Sequence, residues 1–416
     1  MTHSTGRPAR AAVTALLVLA GTSLIPAALA GTASAAVTSD SHGPVVAVEG
    51  PDNTLDLYWQ ADGMPYSPGQ WNLTGLNVPY ATSSGVGFAQ VAGLGTTFST
   101  PSVATDKDST VIAVQGVNHS LDFYWAPNSY WSSGKPSFTE ETVAGADTTY
   151  SIPSLVVSGN RVDIVATGFD NTLDFYSAPN GQPFSPKERP DVIGGPRSTW
   201  SAPTMTANGY SLDIAALGYD EQLDFYSDSV AYGPAVFGPA VVVDPRDYFD
   251  NLSMPSITSD GKSSTIVVQG VRDSLSIWSN WDGSGTWYYG PGRFTSSGAW
   301  ISLPGTYALG QIDSAPQAVW SQGQLSIAAE GPGGSTSYYW EDATGLHDEQ
   351  ALDNGTTAVA PTITPDDGSL NIETQDPDGD VYFSWLHPLQ LLLAPSWSQE
   401  QWSQTNCTAE VCSQSM

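Results

Sequence analysis

Ala113-Val-Gln-Gly-Val-Asn-His-Ser-Leu-Asp-Phe-Tyr-Trp125 is one of seven versions of the same phrase in a chain of 416 residues. It stands as Ala47-Val-Glu-Gly-Pro-Asp-Asn-Thr-Leu-Asp-Leu-Tyr-Trp59 before that point, and it returns at Val165–Ser177 and Ala215–Ser227. Looser versions follow at Val267–Ser279, Ala328–Trp340 and Glu373–Trp385. The phrase glycines are Gly50, Gly116, Gly168, Gly218, Gly270 and Gly331, with Asp376 in the seventh place. A second anchor keeps step with them. Pro101, Pro153, Pro203, Pro255, Pro316 and Pro361 each precede that position by 15 residues, while the prolines themselves lie 52, 50, 52, 61 and 45 apart. A fixed internal interval with elastic connections is the signature of a repeated structural unit, and it outranks local propensity.

Each unit reads as β-strands. Ser109–Gln115 and Ser120–Trp125 are β-branched and aromatic runs joined by the turn residues Gly-Val-Asn-His. Pro101–Thr105 before them and Phe138–Val143 after them make four strands. Proline opens a strand without breaking its ladder. With 41 Gly and 30 Pro, long helices are disfavoured. Seven such sheets bury both faces if they pack radially, so the expected fold is all-β: a seven-bladed β-propeller of four-stranded antiparallel blades. A string of β-sandwiches is the alternative. The first unit has no proline-led strand, and Ala394-Pro-Ser396 near the other end repeats the usual unit start. The segment after Pro395 is therefore expected to pair beside Val45–Gly50 and close the ring.

Residues 1–35 read as a secretory signal: Arg7 and Arg10, then the apolar stretch Ala11–Ala30, then an A-x-A site at Ala33-Ser-Ala35. The expected product is one secreted, extracellular propeller domain at 36–416, with no further span long and apolar enough for a bilayer. Removing the signal takes two arginines and no acid. That leaves 10 basic against 42 acidic groups, a charge of about −32. No Lys or Arg occurs in 36–106 or from Phe294 onward, which become one acidic sector if the chain closes. Nucleic acid is excluded as a partner by that field. Cys407 and Cys412 are expected to form a small local disulfide that pins the tail.

The stretch Asn160-Arg-Val-Asp-Ile-Val-Ala-Thr-Gly-Phe-Asp-Asn-Thr-Leu-Asp-Phe-Tyr176, with its Ser151-Ile-Pro-Ser154 start, resembles the blade of the Photorhabdus-type lectins. The resemblance implies a seven-bladed propeller that binds sugars, fucose among them, in pockets between blades. That family's paired tryptophans at the end of the third strand stand here as Tyr-Trp, Tyr-Ser or Trp-Ser. No binding residue is carried over.

The repeated acids Asp56, Asp122, Asp174 and Asp224 occupy one structural position, with Ser276 and Ser337 in later units, so they read as scaffold. Asp376-Pro-Asp378-Gly-Asp380 has the alternating oxygens of a calcium loop, yet it falls where every unit places its turn; calcium is the one cofactor the sequence leaves open. His42, His119, His347 and His387 lack metal-ligand spacing, and no G-x-S-x-G elbow or phosphate loop is present. Aromatic loops are the lead to function. The fifth unit carries Trp281, Trp287, Tyr288 and Tyr289 in an enlarged insert, and the second carries Tyr130 and Trp131. Such rings suit stacking on sugars or gripping a protein, and otherwise they cover blade edges. The expectation is a monomeric, bacterial, lectin-like protein that binds a glycan or cell-surface polysaccharide noncovalently. The alternatives are a protein-interaction scaffold and a polysaccharide-cleaving enzyme using Asp282, Glu341 and Asp342.

Overall fold

A computed structural model describes residues 35–402 except 41–42, 61–85, 107, 130–135, 185–189, 210, 220, 229–234, 245–252, 282–285, 291, 295–299, 303–308, 322, 342–344, 353–356, 358, 367–368, 376–380 and 387–396. The chain is all-β, built from antiparallel four-stranded sheets. Among the described residues there are seven sheets of four or five strands, plus a two-stranded ribbon, Gly292–Phe294 with Trp300–Ser302. The second sheet shows the pattern: Ser102–Thr105, Ser109–Gln115, Leu121–Pro127 and Thr139–Ala144, hydrogen-bonded in chain order. These are the four strands the sequence predicts. The ribbon and an added strand, Leu309–Gln311, lie within the fifth unit and account for its longer period.

Between second and third strands the chain reverses through two left-handed residues. Asn118 (φ 54°) and His119 (φ 61°) do this in the second sheet, and Asp170 (φ 56°) and Asn171 (φ 58°) in the third. Two successive positive φ values match the right-handed twist of a hairpin, and Asn and Asp tolerate them best. The preceding glycine has a different reason. At Gly116 a Cβ would overlap the Asp122 carboxylate, and the same holds for Gly50 with Asp56 and Gly168 with Asp174. At Gly218 the Asp224 Oδ2 is 2.6 Å from that point, and in the fifth sheet Ser276 Oγ takes the place at 2.5 Å. The repeated acid therefore fills the space that glycine leaves. Asp122 also accepts a hydrogen bond from Ser120 Oγ (3.0 Å). The scaffold reading of these acids is the one the geometry supports.

Each sheet packs on two neighbours. Ile112, Val114 and Tyr124 of the second sheet join Leu55, Leu57 and Trp59 of the first. On the opposite face, Val111, Ala113, Leu121 and Phe123 join Leu155, Ile164 and Tyr176 of the third. Alternate residues of one strand thus enter different cores, as period-two side chains must. The innermost strands lie against one another in order: Ala35–Asp40, Ser102–Thr105, Ser154–Ser158, Thr204–Asn208, Ser256–Ser259, Gln317–Ser321, Thr362–Asp366, and back to Ala35–Asp40. Hydroxyls after the repeated prolines stitch this circuit. Ser102, Ser154 and Ser256 Oγ accept the N–H groups of Leu155, Met205 and Ala318 at 3.0–3.1 Å, and Thr204 Oγ1 donates to the Pro255 carbonyl at 3.1 Å.

One expectation is overturned. Trp397–Trp402 pairs with Val381–Leu386 as the outer strand of the last sheet, not beside Val45–Gly50. The first sheet takes its inner strand from Ala35–Asp40, which forms a hairpin with Gly43–Gly50. A two-residue hairpin loop closes at far less entropic cost than a contact across the whole chain. The ring is joined instead by packing of Ala35–Asp40 on Thr362–Asp366, which brings the two tracts without Lys or Arg together.

Candidate ligand-binding site

The connection from each sheet's outer strand to the next sheet's inner strand passes over the hairpin turns just described. Three consecutive connections end alike: Gly95-Thr-Thr-Phe98, Asp147-Thr-Thr-Tyr150 and Arg197-Ser-Thr-Trp200. In each the first residue is left-handed (φ 69°, 60° and 65°), the threonine before the aromatic is fully buried, and the aromatic is exposed. The backbone fixes that aromatic. Its N–H donates to the residue before the next phrase glycine: Phe98 to the Gln115 carbonyl (2.8 Å), Tyr150 to Thr167 (2.7 Å), Trp200 to Leu217 (2.6 Å). The following serine accepts from the same residue, with Ser99, Ser151 and Ser201 Oγ at 3.0–3.1 Å from the N–H groups of Gln115, Thr167 and Leu217. Gln115 Nε2 adds a bond to the Thr149 carbonyl at 2.6 Å.

Nineteen residues after each of these aromatics comes the residue that follows the phrase glycine: Val117, Phe169 and Tyr219, all exposed. The register brings the two together. Tyr150 and Phe169 have ring centroids 6.3 Å apart, and Trp200 and Tyr219 5.3 Å, tilted by 51°. His119 stacks on Tyr150 at 4.7 Å, so that ring meets residues from the turns of two neighbouring sheets. Burial and the nearby Asp147 carboxylate push the Tyr150 hydroxyl upward, which keeps it a donor, and it donates to Asp147 Oδ1 at 3.4 Å. Phe169 is 62% exposed and Trp200 58%. Large rings left this open, on a rigid ledge and in repeated pairs, offer flat apolar faces edged with hydroxyl, carboxylate and guanidinium groups. That surface suits a ligand with apolar ring faces and polar edges.

Sequence reasoning passed over these residues because it treated repetition as scaffold. The signal was present: an aromatic three residues before the proline in three consecutive units, followed by Leu252, Asp313 and Ala358.

The residues singled out in the fifth unit lie elsewhere. Trp281 ends the strand Ser274–Trp281, and Trp287–Tyr289 forms the next. Trp287 stands edge-on to Phe225 of the fourth sheet at 4.8 Å, and Tyr289 lies 4.8 Å from Trp278. Trp287 occupies a repeated packing position: Phe184 meets Phe123 and Phe237 meets Phe175 in the same manner, each at 5.0 Å. Tyr288 is half-buried and pairs with Ser279. Tyr130, Trp131, Asp282, Asp342, the Asp376, Asp378 and Asp380 loop, and Cys407 with Cys412 lie outside the described residues. Glu341 is buried at a strand end. Among the described residues no group of three His, Cys, Asp or Glu side chains is arranged to hold a metal, and no helix is long and apolar enough to cross a membrane.

No family model matches the chain, and no curated protein matches it in sequence. Solved structures do. The BP39L lectin from Burkholderia pseudomallei superposes with a TM-score of 0.61 at 13% identity, over 89% of this chain and 99% of that one. AofleA from Arthrobotrys oligospora reaches 0.48 at 11% identity, over 77% and 87%. The fucose-specific lectin from Aleuria aurantia reaches 0.45 at 11%, over 72% and 94%. The first of these likenesses places the chain in the β-propeller fold.

Proposed function

We propose that this protein is a secreted, monomeric, seven-bladed propeller that binds glycans noncovalently, and that the exposed aromatic ledge is where it does so. The carrying observation is the pairing of exposed rings at Tyr150–Phe169 and Trp200–Tyr219 in adjacent sheets, each held by the same backbone clamp. A sugar ring presents C–H groups on one face and hydroxyls at its edge, and an aromatic beside a carboxylate or guanidinium answers both. The ring circuit of seven inner strands supports the seven-bladed reading. The BP39L likeness is to a lectin, and it supports carrying the binding of carbohydrate, though no particular sugar, over to this chain. Trp281, Tyr288, Tyr130 and Trp131 extend the candidate surface to the insert and the second unit.

The test is a glycan array on the purified protein, run with calcium and with chelator, alongside Trp200→Ala and Tyr150→Ala. Selective binding that falls in both variants supports the reading. Loss in chelator assigns a metal to the acidic loop at Asp376, Asp378 and Asp380. A blank array with folded protein overturns the glycan reading in favour of a protein partner for the same rings.

A further inference from the structure

The three connections, and the clefts we name from them between each exposed aromatic and its partner, share a backbone but differ in charge at the residue that opens them. The left-handed residue that opens each connection is Gly95 in the first, Asp147 in the second and Arg197 in the third. A side chain at such a φ is strained where glycine is not. Gly95 shows that the connection forms without one. The side chains at 147 and 197 are therefore not required for the connection to form.

Arg197 is exposed, and its guanidinium carbon stands 5.2 Å from the Tyr219 ring centroid. Trp200 lies against the same ring, tilted by 51° at a centroid distance of 5.3 Å. Among the described residues no carboxylate lies within ion-pair distance of Arg197, and its backbone N–H is held by the Asp170 carbonyl at 2.9 Å. This is an exposed cation, without a carboxylate partner among the described residues, beside two part-exposed aromatic rings, in a chain of net charge −30 that otherwise repels anions. A guanidinium fork matches a carboxylate in two parallel hydrogen bonds, and no other side chain does so as well.

We propose that the cleft of Arg197, Trp200 and Tyr219 takes a carboxylate-bearing saccharide, a uronate being the simplest case. The sugar ring lies on the aromatic faces and its carboxylate on Arg197. The neighbouring cleft carries Asp147 in the equivalent place and rejects the same ligand, so adjacent clefts read different sugars along one glycan. The inference rests on the glycan-binding reading and deepens it.

The experiment is titration calorimetry with a uronate oligosaccharide and its carboxyl-reduced neutral counterpart. It uses a Phe98→Ala/Tyr150→Ala background that removes the exposed rings of the two preceding connections, with folding checked by circular dichroism. The expected result is a preference of about tenfold for the uronate at low salt, shrinking as ionic strength rises. Arg197→Gly, which relieves the backbone, brings the two affinities within about twofold of each other. In the natural background Asp147→Arg adds a second uronate site. Equal affinities in the presence of Arg197, or a preference that survives Arg197→Gly, overturn the proposal while glycan binding stands. Absence of all saccharide binding by the natural protein overturns both readings together. Tighter capture of an acidic peptide than of the uronate assigns Arg197 to a protein partner instead.

Discussion

Trp200 and Trp287 are both tryptophans in connecting or irregular segments, and their surroundings are opposite. Trp287 belongs to the irregular insert that breaks the repeat, yet it fills a packing position that Phe184 and Phe237 fill in other sheets. Trp200 belongs to the repeat, yet its ring is exposed. Irregularity in sequence is therefore a poor guide to exposure in this molecule. What separates the two is burial: a departure from the repeat that points inward acts on stability, and a repeated residue that points outward is free to act on a ligand.

The sharpest test of that division is Glu373. Its register is that of Ala113, Val165, Ala215, Val267 and Ala328, all buried and apolar, so it is an inward departure from the repeat. Among the described residues neither carboxyl oxygen has a hydrogen-bond partner, and burial pushes the group up from 4.5 to about 8. The folded state holds it neutral while the unfolded chain ionises above 4.5, so stability is highest below that pH, falls as pH rises to about 8, and then levels off. The expected loss is on the order of 4 kcal/mol across that window. Glu373→Leu should lessen the fall above pH 6 and leave the part contributed by Asp56 and Asp224, which burial raises to about 6; urea denaturation from pH 4 to 9 measures it, and an unchanged slope breaks the comparison.

Trp287→Ala should cost about 3 kcal/mol by the same assay, from lost packing on Phe225. A loss below about 1 kcal/mol would return Trp287 to the list of free binding residues. Gly116→Ala drives a Cβ into the Asp122 carboxylate and should cost about 2 kcal/mol. Adding Asp122→Ala should recover part of that, because it empties the space. The smallest stability effect belongs to Trp200→Ala, within about 0.5 kcal/mol of the parent. Its glycan affinity should nonetheless fall about tenfold. A large stability loss there would move Trp200 to the packing class and remove the basis of the proposed site.

Much of this was legible in order. The Pro–Gly interval predicted four strands per unit because both ends of a hairpin are local: turn residues and alternating side chains are read within a dozen positions. The repeated acid could be assigned to scaffold from its recurrence alone, although only the structure shows that it fills the missing Cβ of the phrase glycine. The ledge was half legible. Phe98, Tyr150 and Trp200 stand at one offset from the repeated prolines, but nothing local says that a ring at that offset is exposed, or that it meets a residue 19 positions on.

The sequence by itself determined the unit, its four strands, its turn chemistry and the two tracts without basic residues, since each of these depends on neighbours along the chain. Tertiary structure decided which segment completes the first sheet, where Ala35–Asp40 prevailed over the strand near the end, and which aromatics are buried between sheets. Those outcomes depend on contacts between residues far apart in the chain. Residue type does not reveal such contacts: a tryptophan packs as well against a phenylalanine in the next sheet as against a sugar, and only its surroundings choose between them.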